Sequence, residues 1–374
     1  MKRIRTIASA FVVAMLMPAL VSAQEVNRTY DVSPGGTLRL DIETGGSITI
    51  TGWDRDQVEV NISVSGRDGS DVIVDLNEIR NGVAISTEYE GRNGRADLEI
   101  DIRVPAVFNL DLETTGGDVR VENVEGEIKG QTMGGDLEFE YIKGEIDFNT
   151  MGGDITLENS EVDGSVETMG GEVSLENVIG NVSGHTMGGE VSYENVRANP
   201  NSNNREEIEI STMGGEINLD EAANGATVHT MGGEIHVGRA SDHVKATTMG
   251  GDITIEAIDG WVEATTMGGD VEVTMVGNPN EGDRHIEISS MGGDIEVTVP
   301  AGLDMDIDLE IKLDDRRDAD RYEIRSDFDL EIEQRNNSDR RGERNIVASG
   351  TVGSGKHRVE ITTHSGNITL RRGR

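Results

Sequence analysis

"TMGGDI", at Thr248–Ile253, is one of a series of near-identical six-residue phrases in this chain. The first glycine of each Gly-Gly pair falls at 116, 134, 152, 170, 188, 214, 232, 250, 268 and 292, so an 18-residue spacing predominates. The two longer intervals, 188–214 and 268–292, contain the Asn/Pro-rich stretches "RANPNSNNRE" and "GNPNEGDR". A fixed period is typical of stacked repeats, and polar insertions are typical of surface loops.

Each repeat contains two short alternating runs. In "DITLENSEVDGSVETM", at residues 154–169, Ile155 and Leu157 alternate with polar residues, and a second run carries Val166. Asp163-Gly164 is a turn signal between the two runs. The pattern predicts two strands and two turns in every repeat.

Two all-β folds accommodate that unit. In a meander, each Gly-Gly pair is a hairpin turn; in a single-stranded, β-helix-like solenoid, each repeat forms one coil, and equivalent strands stack in parallel about 4.8 Å apart. A meander of this length exceeds the roughly ten strands that open twisted sheets tolerate. The constant repeat length favours the β-solenoid, with 18-residue coils and atypical β-rich ends.

The orientation of the methionine in the phrase is open. Alternation along the second run places the Thr inward and therefore the Met outward, as an exposed stripe that would suggest a partner. The flexible thioether favours instead a plug folded under the turn, if the glycines reset the alternation. The methionines of this interaction stripe candidate are Met133, Met151, Met169, Met187, Met213, Met231, Met249, Met267 and Met291.

An acid follows every Gly-Gly pair of the array. These acids are Asp118, Asp136, Asp154, Glu172, Glu190, Glu216, Glu234, Asp252, Asp270 and Asp294. Calcium is the cofactor that such carboxylates would bind, and "GGD" resembles part of the calcium-binding "GGxGxDxUx" repeat, but the third glycine and the nine-residue spacing are missing. A solvated acidic face that prevents aggregation is favoured, so no metal site and no cofactor are predicted.

Residues 1–23 have the features of a signal peptide: basic Lys2, Arg3 and Arg5, an apolar run from Ile7 to Leu20, and small residues before the cleavage point. The predicted location is therefore the periplasm, the outer surface or the extracellular space. No later apolar segment is long enough for a transmembrane helix. The chain has no Cys, and its net charge is -38, which makes nucleic acid a poor partner.

Catalytic motifs are not evident, so a non-enzymatic protein is predicted. A polysaccharide-cleaving β-helix would need a pair of carboxylates outside the repeated positions. An irregular acid cluster beside Trp261 would favour that carbohydrate-active alternative.

The predicted organisation is a signal peptide at 1–23, a β-rich capping region at 24–113, a solenoid at 114–300 and a second β-rich cap with a charged insertion at 301–374. "HRVEITTHSGNITLRR", from His357, is expected to close the array as its last coil.

Several stretches resemble a known family. "TGGSITITGWDRDQVEV" from Thr44, the Val-Pro strands, the recurrent "T-x-G-G-D-[IV]" and the closing "HSGNITL" are similar to the bacterial β-strand-repeat proteins called putative adhesins, a family of unknown function. The resemblance implies an exported β-solenoid without catalytic residues. The expected role is an envelope or surface scaffold that binds a surface protein, a polymer or a second copy of itself, with a calcium-binding module as the alternative.

Overall fold

The computed structural model describes residues 24–91, 94–197, 207–313, 321–336 and 344–373, so the predicted signal peptide lies outside the described residues. The described chain forms 31 β-strands and one 3-10 helix, at Gly69–Asp71. No helix in these ranges has the length and apolar character needed to cross a membrane. Strands one repeat apart pair in parallel, which confirms the predicted β-solenoid.

The first seven strands are β1 (Gln24–Asp31), β2 (Gly36–Ile42), β3 (Ser47–Trp53), β4 (Gln57–Gly66), β5 (Val72–Ile79), β6 (Gly82–Tyr89) and β7 (Ala96–Pro105). The strands of the repeats are β8 (Phe108–Thr114), β9 (Val119–Glu122), β10 (Glu125–Thr132), β11 (Leu137–Glu140), β12 (Lys143–Thr150), β13 (Ile155–Glu158), β14 (Glu161–Thr168), β15 (Val173–Glu176), β16 (Val182–Thr186), β17 (Val191–Glu194), β18 (Ile208–Ser211), β19 (Ile217–Ala222), β20 (Ala226–His229), β21 (Ile235–Thr247), β22 (Ile253–Thr266), β23 (Val271–Met275), β24 (Ile286–Ser290) and β25 (Ile295–Val299). The last six are β26 (Met305–Leu313), β27 (Ile324–Ser326), β28 (Glu331–Asn336), β29 (Arg344–Val352), β30 (His357–His364) and β31 (Ile368–Arg372).

Each coil has one strand before the Met-Gly-Gly corner and one after it. β12 pairs in register with β10 and β14, and β13 pairs with β11 and β15, so each strand contacts its equivalents in the coils below and above. Alternate side chains of both strands point into the coil and are buried, for example Phe148, Leu157 and Val166. The hydrophobic core is therefore a column that runs the length of the stack.

The second turn of the coil lies elsewhere than predicted. Strand β14 runs through Asp163-Gly164, and the chain turns at Asn159, whose φ is 50°. Asn177 and Asn195 take the same left-handed conformation, which Asn tolerates better than most residues. The amide of Asn195 donates to the side-chain oxygen of Asn177 in the neighbouring coil, at 2.7 Å, so this hydrogen bond links the turn to the equivalent turn of that coil.

At each end of the chain, the terminal coil in sequence is not the outermost coil in space. The coil β2–β3 lies between β6–β7 and β8–β9, and the coil β30–β31 lies between β24–β25 and β26–β27. The prediction that the "HSGNITL" segment forms the last coil is therefore wrong, because β26–β27 lies outside it. Antiparallel strands then extend from the outer coils: β5 pairs with β6, β4 and β1 follow β7, and β29 and β28 follow β26. Such strands cover edges that would otherwise pair with other chains.

The two glycines of each corner have different surroundings. A Cβ on the second glycine, for example Gly171, would collide with the carbonyl oxygen of Gly153, the equivalent glycine of the preceding coil. A Cβ on the first glycine, Gly170, would meet its nearest atom, the Met151 carbonyl oxygen, at 3.8 Å, which is ordinary contact. The second glycine is therefore required by the close approach of neighbouring coils.

We expect Gly171→Ala to lower the free energy of unfolding by about 1–3 kcal/mol, since the added methyl group forces two backbones apart. Gly170→Ala is the matched control and should cost much less. Chemical denaturation of both variants measures the difference. Equal losses would contradict the steric account of the corner.

Candidate interaction surface

The threonine of the phrase links each corner to the corner of the preceding coil through hydrogen bonds. The hydroxyl of Thr168 donates to the carbonyl of Gly153 at 2.9 Å and accepts the N–H of Gly171 at 3.2 Å. The same pair of bonds recurs at Thr186, Thr248, Thr266 and Ser290. These side chains are buried, which confirms the predicted inward orientation. The hydroxyl thus satisfies two polar backbone groups where the strand ends.

The methionines point outward, so the corner-plug interpretation is wrong. Each of the nine is exposed, from 38% at Met231 to 55% at Met133. They occupy consecutive coils, because the strands that end just before them pair in one continuous parallel series. At about 4.8 Å per coil, this Met stripe extends roughly 40 Å. The alternation that begins at the buried threonine holds through the methionine and changes at the glycines, since Thr168 and Val173, five residues apart, are both buried.

The acids after Gly-Gly form a second, parallel row on the same corner. All are exposed except Glu190, which is half-buried, and the aspartates also act within the stack. The carboxylate of Asp136 accepts the backbone N–H of Asp154 at 3.0 Å, and that of Asp154 accepts the N–H of Glu172 at 2.8 Å. The same bond to the following coil is made by Asp118, Asp252, Asp270 and Asp294. The aspartates therefore hold the corner in place, a role that the sequence pattern did not suggest.

A further row of acids stands at the ends of the strands after the corner. Glu140, Glu158, Glu176 and Glu194 pair with one another in register along successive coils. Partial burial and then the charges of Glu176 and Glu140 raise the pKa of Glu158. Negative charge on this side is thus incompletely compensated. The 18-residue spacing of these glutamates is the sequence signal that could have revealed the row.

Trp261 lies between two histidine rings on the outside of the stack. Its ring is 4.9 Å from that of His243 and 4.9 Å from that of His285, and the planes are nearly parallel. Sequence analysis missed this stack, although 243, 261 and 285 follow the spacing of the Gly-Gly pairs at 250, 268 and 292.

An irregular acid cluster does lie beside Trp261. A cavity of about 450 Å³ is lined by Trp261 and by the carboxylates of Asp242, Asp259, Glu281 and Asp283. Three of these contact a basic side chain: Asp242 the imidazole of His243, Asp259 the guanidinium of the buried Arg284, and Asp283 the imidazole of His285. Burial would raise the pKa of Asp283, but hydrogen bonds and the charge of His285 outweigh it and lower that pKa.

The described residues contain no group of three or more His, Cys, Asp or Glu side chains arranged to hold a metal ion. In particular, the structure does not gather Asp136, Asp154, Glu172, Glu190, Asp252 and Asp270 into such a group. They stand one per coil along the corner.

The family model of Toastrack DUF4097 matches residues 37–371, so the chain belongs to this family. The resemblance to putative adhesins of unknown function is thereby confirmed. A search of curated proteins finds no match.

Three solved structures are similar to this chain. A putative cell adhesion protein from Clostridium sporogenes ATCC 15579 is 9% identical, with 94% of this chain and 100% of the other covered and a TM-score of 0.21. A putative adhesin from Parabacteroides distasonis ATCC 8503 is 13% identical, with coverage of 73% and 97% and a TM-score of 0.32. A putative lipid binding protein from the same organism is 13% identical, with coverage of 73% and 96% and a TM-score of 0.32.

We expect Thr168→Val to lower the free energy of unfolding by about 1–3 kcal/mol, because it leaves a buried carbonyl and a buried N–H without their partner. Thr156→Val, on the outward face of β13, is the matched control and should be nearly neutral. Urea denaturation of both variants provides the comparison. A Thr168 variant as stable as the control would show that the hydroxyl is dispensable.

Proposed function

We propose that this protein is a non-enzymatic, exported scaffold of the cell envelope that binds a basic partner protein along the Met stripe. The observation that carries the proposal is the exposure of nine methionines in consecutive coils. A contiguous apolar patch of this length is larger than monomeric proteins usually expose, and such patches commonly mark protein interfaces. Methionine suits the role because its flexible side chain adapts to different partner surfaces.

The charge around the stripe favours a cationic partner over a second copy. Residues 116–300 contain 37 acids and 8 bases, and one row of acids runs beside the methionines. Two such surfaces repel each other, whereas a segment with apolar side chains next to Lys or Arg is attracted. Next to Met133 and Met151, a groove of about 380 Å³ provides room for side chains of the partner. Polyanions, including nucleic acid, are disfavoured for the same reason.

Export is supported by the signal-like segment at 1–23 and places the scaffold in the periplasm, on the outer surface or outside the cell. Membership in a family of putative adhesins agrees with a role at the envelope.

A calcium-binding module is the second candidate, because the acids after Gly-Gly form a continuous row. Calcium binds through several oxygens from one neighbourhood. The aspartate carboxylates of this row already accept backbone N–H groups of the next coil, which argues against it. Thermal melting with added calcium separates the two ideas: the scaffold predicts no shift, and the module predicts a large one.

A carbohydrate-active enzyme is the third candidate, favoured by the acids beside Trp261. Glycoside hydrolysis by paired carboxylates needs a general acid with a raised pKa. The lowered pKa of Asp283 and the ion pair of Asp259 with Arg284 therefore favour a structural role for the cluster, in which it anchors the insertion at 277–284.

Replacing Met187, Met213, Met231 and Met249 together with Ser should abolish capture of the partner and leave the thermal midpoint almost unchanged. The side chains are exposed, so little core packing is lost, and exposed substitutions usually change stability by less than about 0.5 kcal/mol each. The test immobilises the chain from Gln24 onward, identifies what it retains from envelope extract, and measures the affinity of the purified partner for both forms. The retained partner should be basic.

The control variant replaces Thr156, Ser174, Ser192 and Thr254, which face outward after the corner, with Ala. It should bind as the unaltered chain does. Equal binding by the Ser variant, or concentration-dependent self-association through the stripe in sedimentation, would overturn the proposal.

A further inference from the structure

The Met stripe is a row of soft donor atoms as well as an apolar surface. Each rung of the stripe, that is, each of its nine methionines, carries a thioether sulfur. Thioethers belong with the ligands that select Cu(I) over hard cations such as Ca²⁺ and Mg²⁺. The chain has no Cys, so no thiolate in it competes for such an ion. Within the described residues, the two other methionines, Met275 and Met305, are buried in the core.

The stacking brings neighbouring sulfurs within reach of one ion. The backbone N–H of Met151 donates to the Thr132 carbonyl at 3.2 Å, and that of Met169 donates to the Thr150 carbonyl at 3.2 Å, so the pairing of coils continues as far as the methionine itself. Adjacent rungs are then about 4.8 Å apart. Unbranched side chains with three rotatable bonds can converge from neighbouring rungs on a point above the middle one.

The centre of the stripe carries additional donors. His185 and His229 face outward two residues before Met187 and Met231, and the register pairs both with Ser211, two residues before Met213. Three consecutive methionines are therefore flanked by two imidazoles. The Nδ1 atom of His185 is buried without a hydrogen-bond partner within the part of the chain that the structure describes.

Electrostatics favours a cation at the same place. Glu190, Glu216 and Glu234 follow these three methionines after the two glycines; Glu190 is half-buried, and the other two are exposed. Their field raises the local concentration of cations. Their hard carboxylate oxygens add little to the coordination of a soft ion, so selectivity rests with the thioethers.

We propose that the Met stripe binds Cu(I), and the redox-inert ion Ag(I), through neighbouring thioethers centred on Met187, Met213 and Met231. Binding involves no change of oxidation state, since the ion enters and leaves as the monovalent cation. The site is independent of the proposed docking role, which needs only that the stripe be apolar.

The test uses the chain from Gln24 onward and a variant in which Met187, Met213, Met231 and Met249 are replaced together with Leu. Leucine keeps the apolar surface and removes the sulfur. Ag(I) is titrated by calorimetry, and Cu(I) by competition with a chromophoric chelator under ascorbate. The unaltered chain should bind either ion saturably, and the Leu variant should bind the central ions about tenfold or more weakly. Methyl NMR signals of the stripe should shift with Ag(I).

Met275→Leu with Met305→Leu is the matched control, because it removes the same atoms from the core; it should leave Ag(I) stoichiometry unchanged. Calcium titrated into the unaltered chain should give no comparable heat. Undiminished Ag(I) binding by the Leu variant, or no binding by the unaltered chain, overturns the metal proposal. Loss of Ag(I) with retention of the partner by the Leu variant separates the metal site from the docking role, whereas the Ser variant should lose both.

Discussion

The structure depends on how closely one coil approaches the next at its corner. The carbonyl oxygen of each second glycine occupies the place where a Cβ of the following coil would lie, as Gly153 does for Gly171. This contact allows one residue type only. The threonine hydroxyl then bridges the same two coils, and the aspartate carboxylate accepts the next backbone N–H. Three of the fixed positions in the phrase are thus explained by stacking alone.

The methionine and the first glycine are the fixed positions that these stacking contacts leave unexplained, and of the two only the methionine presents a side chain. It contributes an exposed thioether in nine successive coils, although polar Thr115 and His364 occupy the equivalent corners beyond the two ends. The scaffold therefore tolerates a polar residue there. A docking surface and a soft-metal site both use what distinguishes the methionine row, its apolar area in one case and its sulfur in the other.

Much of the fold could be predicted from periodicity, since a constant repeat with alternating strands requires stacking. The inward threonine followed from the same alternation. The Met orientation did not, because the glycines change the alternation and the sequence does not show whether that change includes the methionine. The second turn was placed at Asp163-Gly164, whereas the left-handed Asn159 makes it. The pairing of β30–β31 with β26–β27 joins segments that are distant in sequence, and no local sequence pattern predicts it.

The candidate surface was only partly visible in the sequence. The Met and acid rows are read directly from the repeat, but the hydrogen bonds that occupy the aspartates depend on the spacing of coils. The stack of His243, Trp261 and His285 was not predicted, because its members are different residue types and so do not form a visible sequence repeat.

Removing one whole coil tests the central claim, that the stacking of coils of constant length determines the fold. Deletion of residues 152–169 joins Met151 to Gly170 and restores the phrase. The shortened chain should fold, with its long dimension reduced by about 4.8 Å in solution scattering. Deletion of residues 152–160 alone removes β13 and should prevent folding. Failure of the first deletion to fold, or equal tolerance of the second, would contradict the account.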